Sequence, residues 1–305
     1  MFITPFKSLA ADTLQERAKF IHAIRQFFHS RGVLEVTTPL LAETSVTDPN
    51  IGSVKCLLTK GEKPSVAYLQ TSPEYAMKRL LAEGSGSIYQ ICPAFRDDAP
   101  SSIHRVEFTM LEWYRVGYNY KQLMAEVSAL IQLFWPTADL VAKTYHELFL
   151  EYLACDIADC PDIKLRELLQ YHTNSSLALF SRDDYLDALF SLVIQPQLKD
   201  TPFLFVYDFP SSQAALAKVA NGVAERFELF VRGVEIANGY SELTDAIVLE
   251  ERFKENNIIR ASKDLPTMSI DQDFMSAMTA GLPICAGVAV GIDRLFMLFS
   301  EHVSI

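Results

Sequence analysis

The sequence predicts an α+β fold with a mainly antiparallel sheet flanked by helices, and three observations carry that prediction. Apolar positions recur at helical spacing near the N-terminus, short apolar runs bounded by turn residues follow, and a glycine-flanked strand near the C-terminus runs directly into a helix. With 305 residues, 50% of them hydrophobic, the chain can bury a large core. No internal repeat, low-complexity tract or long Gly/Ser/Pro linker divides it, so a single domain over 1–305 is expected.

Taken in order, Leu14 to Ser30 reads as an amphipathic helix with Ala18, Ile21, Ile24, Phe27 and Phe28 inward, and Gly32 stands where that helix ends. Val33 to Val36 reads as a short strand closed by Thr38-Pro39, since proline cannot continue a central ladder. Pro73 to Glu83 reads as a helix with Ser72 as its N-cap, Pro73 at the first helical position and Leu80 and Leu81 inward. Ser87 to Phe95 and Phe108 to Tyr114 read as strands joined by an irregular stretch, Arg96 to Val106, that contains Pro100 and two serines. Residues 140–196 carry several helical patterns and few convergent polar groups, the mark of an inserted helical region. Phe203 to Tyr207 is a buried strand candidate, and Arg226 to Asn238 reads as two strands turning at Arg232-Gly233. In the last unit, from Gly281, Val288 and Val290 alternate as in a strand before Ile292 to Phe299 takes up helical spacing.

Composition narrows the function. With 27 Lys+Arg against 38 Asp+Glu, the net charge of −11 opposes non-specific attraction to nucleic acid, which counts against a tRNA substrate. Cys56, Cys92, Cys155, Cys160 and Cys285 are odd in number and form no C-x-x-C pair, disfavouring a disulfide framework and a zinc site. No apolar run is long enough to span a bilayer and the N-terminus lacks the pattern of a secretory signal, so a cytoplasmic protein without membrane association is expected.

Three clusters can carry chemistry. The first joins Arg96, Asp97 and Asp98 at one strand end to the returning Glu107–Tyr114. Alternation puts Glu112 and Tyr114 on one face as joint ligands of a cationic group, and the Arg96 fork suits phosphate oxygens. The second, Glu235 to Leu243, gathers oxygen ligands around a glycine bend at Gly239. Two carboxylates brought together there would repel, and a divalent cation carrying ATP phosphates would relieve them; magnesium is the natural candidate. The third, Gly287 to Arg294, is a strand of small residues, which lets a flat ring approach, with an arginine at its junction with a helix. Taken singly, the three are better explained by a surface ion-pair cluster, exposed strand-end acids and tight strand–helix packing.

Together and in this order, with the helix–Gly32–Val-Leu-Glu-Val-Thr-Thr-Pro39 opening, they resemble motifs 1, 2 and 3 of class II aminoacyl-tRNA synthetases. The resemblance runs from about Arg17 to Phe299; Thr71-Ser72-Pro73-Glu74-Tyr75 and Phe108 to Glu112 give it a lysyl character. Only about sixteen residues precede the motif 1 helix, leaving no room for the anticodon-reading OB-fold of lysyl synthetases. That, the acidic balance, and Ala289 where synthetases have glycine resemble the elongation factor P–(R)-β-lysine ligases, paralogues that modify a lysine on a protein.

The resemblance implies a class II catalytic core that uses ATP and Mg²⁺, with (R)-β-lysine and elongation factor P as substrates, and a homodimer through motif 1. It implies that Arg96 and Arg294 clamp phosphates, that Asp97, Asp98, Arg105, Glu235, Ile236 and Gly291 line the nucleotide site, and that Glu235 and Glu242 handle magnesium. It assigns Ser72, Pro73, Glu74, Tyr114 and, with them, Glu112, Glu242 and Ala289 to the amino-acid pocket. His104 and Glu107 match the family's motif, whereas Asp98 replaces a glutamate and Arg105 an asparagine. Two alternatives share these residues: an α-lysine activator that charges tRNA or another acceptor, and a non-catalytic amino-acid-binding regulator.

Overall fold

A computed structural model describes residues 11–61, 63–99, 104–173 and 181–300. Helix α1 (Ala11–His29) stops where glycine permits it: Gly32 has φ +64°, Val33 N donates to Phe28 O, and Gly32 N donates to His29 O. Its buried face is Phe20, Ile24, Phe27 and Phe28. Ala18, expected inside, is exposed, because it stands roughly 200° round the helix from Phe20. After β1 (Leu34–Glu35), strands β2 (Leu41–Ala42), β3 (Lys55–Leu58) and β4 (Ser65–Leu69) form a small separate sheet.

Helix α2 (Glu74–Ala82) begins one residue later than expected. Pro73, with no N–H to give, takes the cap position, and Ser72 Oγ accepts from Glu74 N at 3.4 Å. Strands β5 (Ile88–Phe95) and β6 (Glu107–Val116) pair antiparallel; Pro100, Ser101 and Ser102 between them lie outside the described residues. Helix α3 (Tyr120–Gln132) opens on an Asn119/Gln122 capping box. The insertion then supplies β7 (Val141–Thr144), α4 (Tyr145–Leu153), α5 (Asp162–Thr173) and α6 (Arg182–Leu189). Its strand was not foreseen; β7 runs parallel to β8 (Phe203–Pro210) and extends the main sheet. Short β9 (Val219–Ala220), β10 (Val223–Val231), β11 (Val234–Ser241), α7 (Ala246–Ser262), α8 (Gln272–Gly281), β12 (Cys285–Gly291) and α9 (Ile292–Phe299) complete the chain.

The main sheet has the order β1-β5-β6-β12-β11-β10-β8-β7, with β9 on β10. It is antiparallel except for β1/β5 and β7/β8. The β10–β11 turn falls at Arg232-Gly233, where φ of +49° and +78° makes the two-residue hairpin that right-handed strand twist favours. Next to it β11 holds one extra residue: Leu229 pairs with Ala237 but Phe230 with Glu235, leaving Ile236 as a bulge.

The two sheet faces are covered differently. Behind it, Leu111, Trp113, Phe227, Leu229, Val288 and Val290 pack against α1, α3 and α9. Each large side chain buried there contributes about 1.5–3 kcal/mol. In front, α4, α5 and α6 cover the β8/β10 side and α2, α7 and α8 the β5/β6 side. Between these two apolar clusters the front face carries polar side chains.

Gly239 does not bend the chain, as its oxygen-rich neighbourhood suggested; it lies extended in β11, paired with Phe227 and Val288. Glycine is required because a Cβ there would sit 2.7 Å from both Phe227 Cζ and Val288 Cβ and 2.9 Å from Gly287 O. Gly239→Ala is expected to destabilise the protein by about 1–3 kcal/mol in denaturant unfolding; an unchanged midpoint would remove this packing account.

Candidate functional site

Strand register builds the site in rows. Gln90 of β5, Glu112 of β6, Ala289 of β12, Asn238 of β11 and Glu228 of β10 are successive cross-strand partners. The next row is Ile88, Tyr114, Gly287, Tyr240 and Arg226. Paired residues face the same way, so five strands deliver these side chains to the front face. Alternation in β6 did place Glu112 and Tyr114 together, and Tyr114 OH donates to Glu112 Oε1 at 2.6 Å.

Helix α2 closes this surface with a lysine. Lys78 Nζ stands 2.6 Å from Glu74 Oε1 and 2.6 Å from Glu242 Oε2, and Tyr240 OH donates to Glu74 Oε1 at 2.5 Å. Burial works against the Lys78 charge, but Glu242 and Glu74 outweigh it and hold its pKa above the ordinary value. Glu112 and Glu242 are each pushed up to about 8, by burial first and by neighbouring acids, with Lys78 opposing. Glu242 Oε1 is buried without a hydrogen-bond partner. Three carboxylates thus face one ammonium, which leaves two negative charges when all are ionised. Gly287 makes room for them: a Cβ there would lie 2.3 Å from Tyr114 Cε1 and 2.4 Å from Glu242 Oε1.

At the other end of the same strands stand the arginines. Arg96 follows β5; its guanidinium lies 5.4 Å from the Phe108 ring centroid, and its buried Nε has no hydrogen-bond partner. Arg294, in the first turn of α9, donates to Glu235 O at 2.9 Å. Its neighbour Asp293 accepts from Arg17 at 2.6 Å and from Thr109 N at 2.6 Å, tying α9 to α1 and β6. Gly291, just before α9, is open, with only the Arg294 side chain 3.8–3.9 Å from a virtual Cβ.

The remaining expectations fall out unevenly. The bulge puts Glu235, opposite the front-facing Phe230, on the face that Tyr240 and Glu242 share, which strict alternation over seven residues forbids. Yet Glu235 and Glu242 have different neighbours: Glu235 lies near Arg226 and Glu228, Glu242 against Lys78. Among the described residues no three His, Cys, Asp or Glu side chains group as metal ligands. The Ile236 side chain packs into the rear core, so only its main chain is available to a nucleotide. Asp97 N donates to Gly52 O at 3.0 Å, Asp98 is half-buried, and Arg105 is exposed. Ser72 and Pro73 sit at the start of α2, directly before Glu74.

Sequence reasoning missed Lys78, Gln90, Tyr240 and the Arg226/Glu228/Asn238 group, in which Arg226 meets Glu228 at 2.6 Å. A lysine four residues after Glu74 was a readable signal, although such pairs usually lie on a surface.

The chain matches the model of tRNA synthetases class II (D, K and N) over residues 3–305. It belongs to that class II synthetase family. Within it, the chain is 43% identical over 290 residues to a protein of Mannheimia succiniciproducens named elongation factor P–(R)-β-lysine ligase, covering 93% of this chain and 90% of the relative. Relatives of the same name from Haemophilus influenzae and Pectobacterium carotovorum subsp. carotovorum are 44% and 42% identical, over 93% and 95% of this chain and 90% and 92% of theirs. The class II sheet accounts for the row geometry, and the motif 2 and 3 resemblance falls on β5, β6, β12 and α9. No helix among the described residues is long and apolar enough to cross a membrane.

Proposed function

We propose that this chain activates (R)-β-lysine with ATP as an adenylate and transfers it to a lysine side chain of elongation factor P. The observation that carries the reading is the set of acids in the front-face pocket: once ionised, Glu74, Glu112 and Glu242 exceed Lys78 by two charges, the number of ammonium groups on the substrate. α-Lysine has the same charge. The relatives' name and Ala289, whose methyl stands in the row between Glu112 and Asn238, favour the β-isomer.

In this reading Glu74, Glu112, Tyr114 and Glu242 hold the two ammonium groups, with Ser72 and Pro73 shaping the wall. The substrate carboxylate then points along β6 and β12 toward Arg96 and Arg294. Arg96, with its unpartnered Nε, and Arg294 neutralise phosphate charge while the carboxylate oxygen attacks the α-phosphorus and pyrophosphate leaves. The acceptor amine next attacks the acyl carbon, AMP departs, and the amine loses a proton. Asp97, Asp98, Arg105, the Ile236 main chain and Gly291 border the nucleotide. Glu242, enclosed with Lys78, belongs to the ammonium pocket, whereas Glu235, whose main-chain oxygen meets Arg294, is the acid that would hold Mg²⁺, which would supply charge neutralisation on the phosphates.

The same reading takes the chain as one catalytic domain acting as a homodimer, supported by the exposed Leu34, Leu57 and Val66 of β1, β3 and β4. Five unpaired thiols fit the reducing cytoplasm, and the charge of −11 favours a protein acceptor over tRNA.

ATP–pyrophosphate exchange comparing (R)-β-lysine with α-lysine tests it, with faster exchange expected for the β-isomer; no exchange with either refutes adenylation. A pH dependence also follows. Below about pH 8 the empty pocket holds protons on Glu112 and Glu242, whereas ammonium groups bind the ionised acids. Substrate binding therefore releases protons, and KM for β-lysine falls as pH rises from about 6 to about 8. Calorimetric titration in buffers of different ionisation enthalpy reads the release; proton uptake would contradict it.

A further inference from the structure

Gln90 has no role in the scheme above, yet it is the most conspicuous unsatisfied side chain on the sheet. It is 2% exposed; its amide N–H meets only the weak Cys92 thiol, and Oε1 has no hydrogen-bond partner. Burying an amide oxygen unpaired is costly, so such a group generally has a partner that binds there. Its position names that partner. Gln90 is the direct cross-strand neighbour of Glu112 and shares its face, in the row that continues through Ala289 to Asn238. Nearby Gln70, by contrast, has its amide nitrogen engaged, donating to Pro93 O at 2.7 Å and to Cys92 Sγ at 3.3 Å.

We infer that Gln90 is a specificity-determining residue of the amino-acid pocket, its amide oxygen accepting a hydrogen bond from the same substrate ammonium that Glu112 and Tyr114 hold. The inference rests on the function proposed above. Tyr114 spends its hydroxyl proton on Glu112, so the ammonium meets three acceptors: a Glu112 oxygen, the Tyr114 oxygen and Gln90 Oε1. An ammonium has three protons, so three acceptors satisfy it. An uncharged acceptor completes the set without adding a fourth carboxylate to an already acidic pocket.

The test is ATP–pyrophosphate exchange by Gln90→Leu and Gln90→Glu, with two competitive inhibitors that each keep one amine of the substrate: 3-aminohexanoic acid and 6-aminohexanoic acid. Gln90→Leu is expected to raise KM for (R)-β-lysine about 10-fold or more with KM for ATP unchanged. It should weaken only one of the two inhibitors, the one carrying the ammonium at Glu112. Gln90→Glu keeps an acceptor oxygen and should stay within about threefold of the parent. Equal weakening of both inhibitors, equal loss in both variants, or an unchanged KM in Gln90→Leu, as for an amide that holds only an internal water, would each overturn the assignment. Parent protein that fails to exchange with β-lysine refutes the proposed function instead, so the two failures are distinguishable.

Discussion

Arg294→Ala is expected to lower ATP–pyrophosphate exchange by about 10²–10³-fold or more, the scale of losing a charged donor that acts on developing phosphate charge. Arg294 projects from the first turn of α9 beside Gly291 and is steadied by Glu235 O at 2.9 Å. Asp293 next to it pins the helix start to Arg17 and Thr109, so truncating Arg294 leaves the anchoring of α9 intact. The variant should keep the parent's circular dichroism and unfolding midpoint. Exchange at the parent rate would remove Arg294 from the phosphate clamp.

Lys78→Met is expected to have the second largest effect, on both stability and binding. Among the described residues Lys78 is the one cation between Glu74 and Glu242, and without it the three acids there lack their countercharge. Breaking a buried pair on one side typically costs about 3–5 kcal/mol, moderated here because the acids can take up protons. The protonated acids would then bind an ammonium poorly, so KM for the amino acid should rise about 10–100-fold while KM for ATP changes little. Unfolding and exchange assays measure the two parts; a parent-like KM would show that Lys78 plays no part in setting the pocket's charge.

Much of this site was legible in the sequence because strand alternation is a strict rule. Glu112 and Tyr114, two residues apart in an apolar run, had to share a face, and Arg232-Gly233 between apolar stretches had to turn. The parts that were not legible depend on contacts remote in sequence. An apolar residue in an apolar strand gives no sign that it is a bulge, so Ile236 hid the arrangement that puts Glu235 and Glu242 on one face. Gly239 was ambiguous in the same way: glycine marks a bend or a close approach, and only the positions of Phe227 and Val288 decide for the latter. Lys78 resembled an ordinary helical partner of Glu74 until Glu242, from another strand, enclosed it. The unpaired amide oxygen of Gln90 is a property of the assembled sheet and has no local sequence signal.

The proposed reaction ends in transfer of β-lysine to a protein. Its most direct test is the intact mass of elongation factor P after incubation with this protein, ATP, Mg²⁺ and (R)-β-lysine. A gain of one β-lysyl unit on a single lysine is expected, lost when ATP is omitted. An unchanged mass alongside efficient charging of tRNA would contradict it.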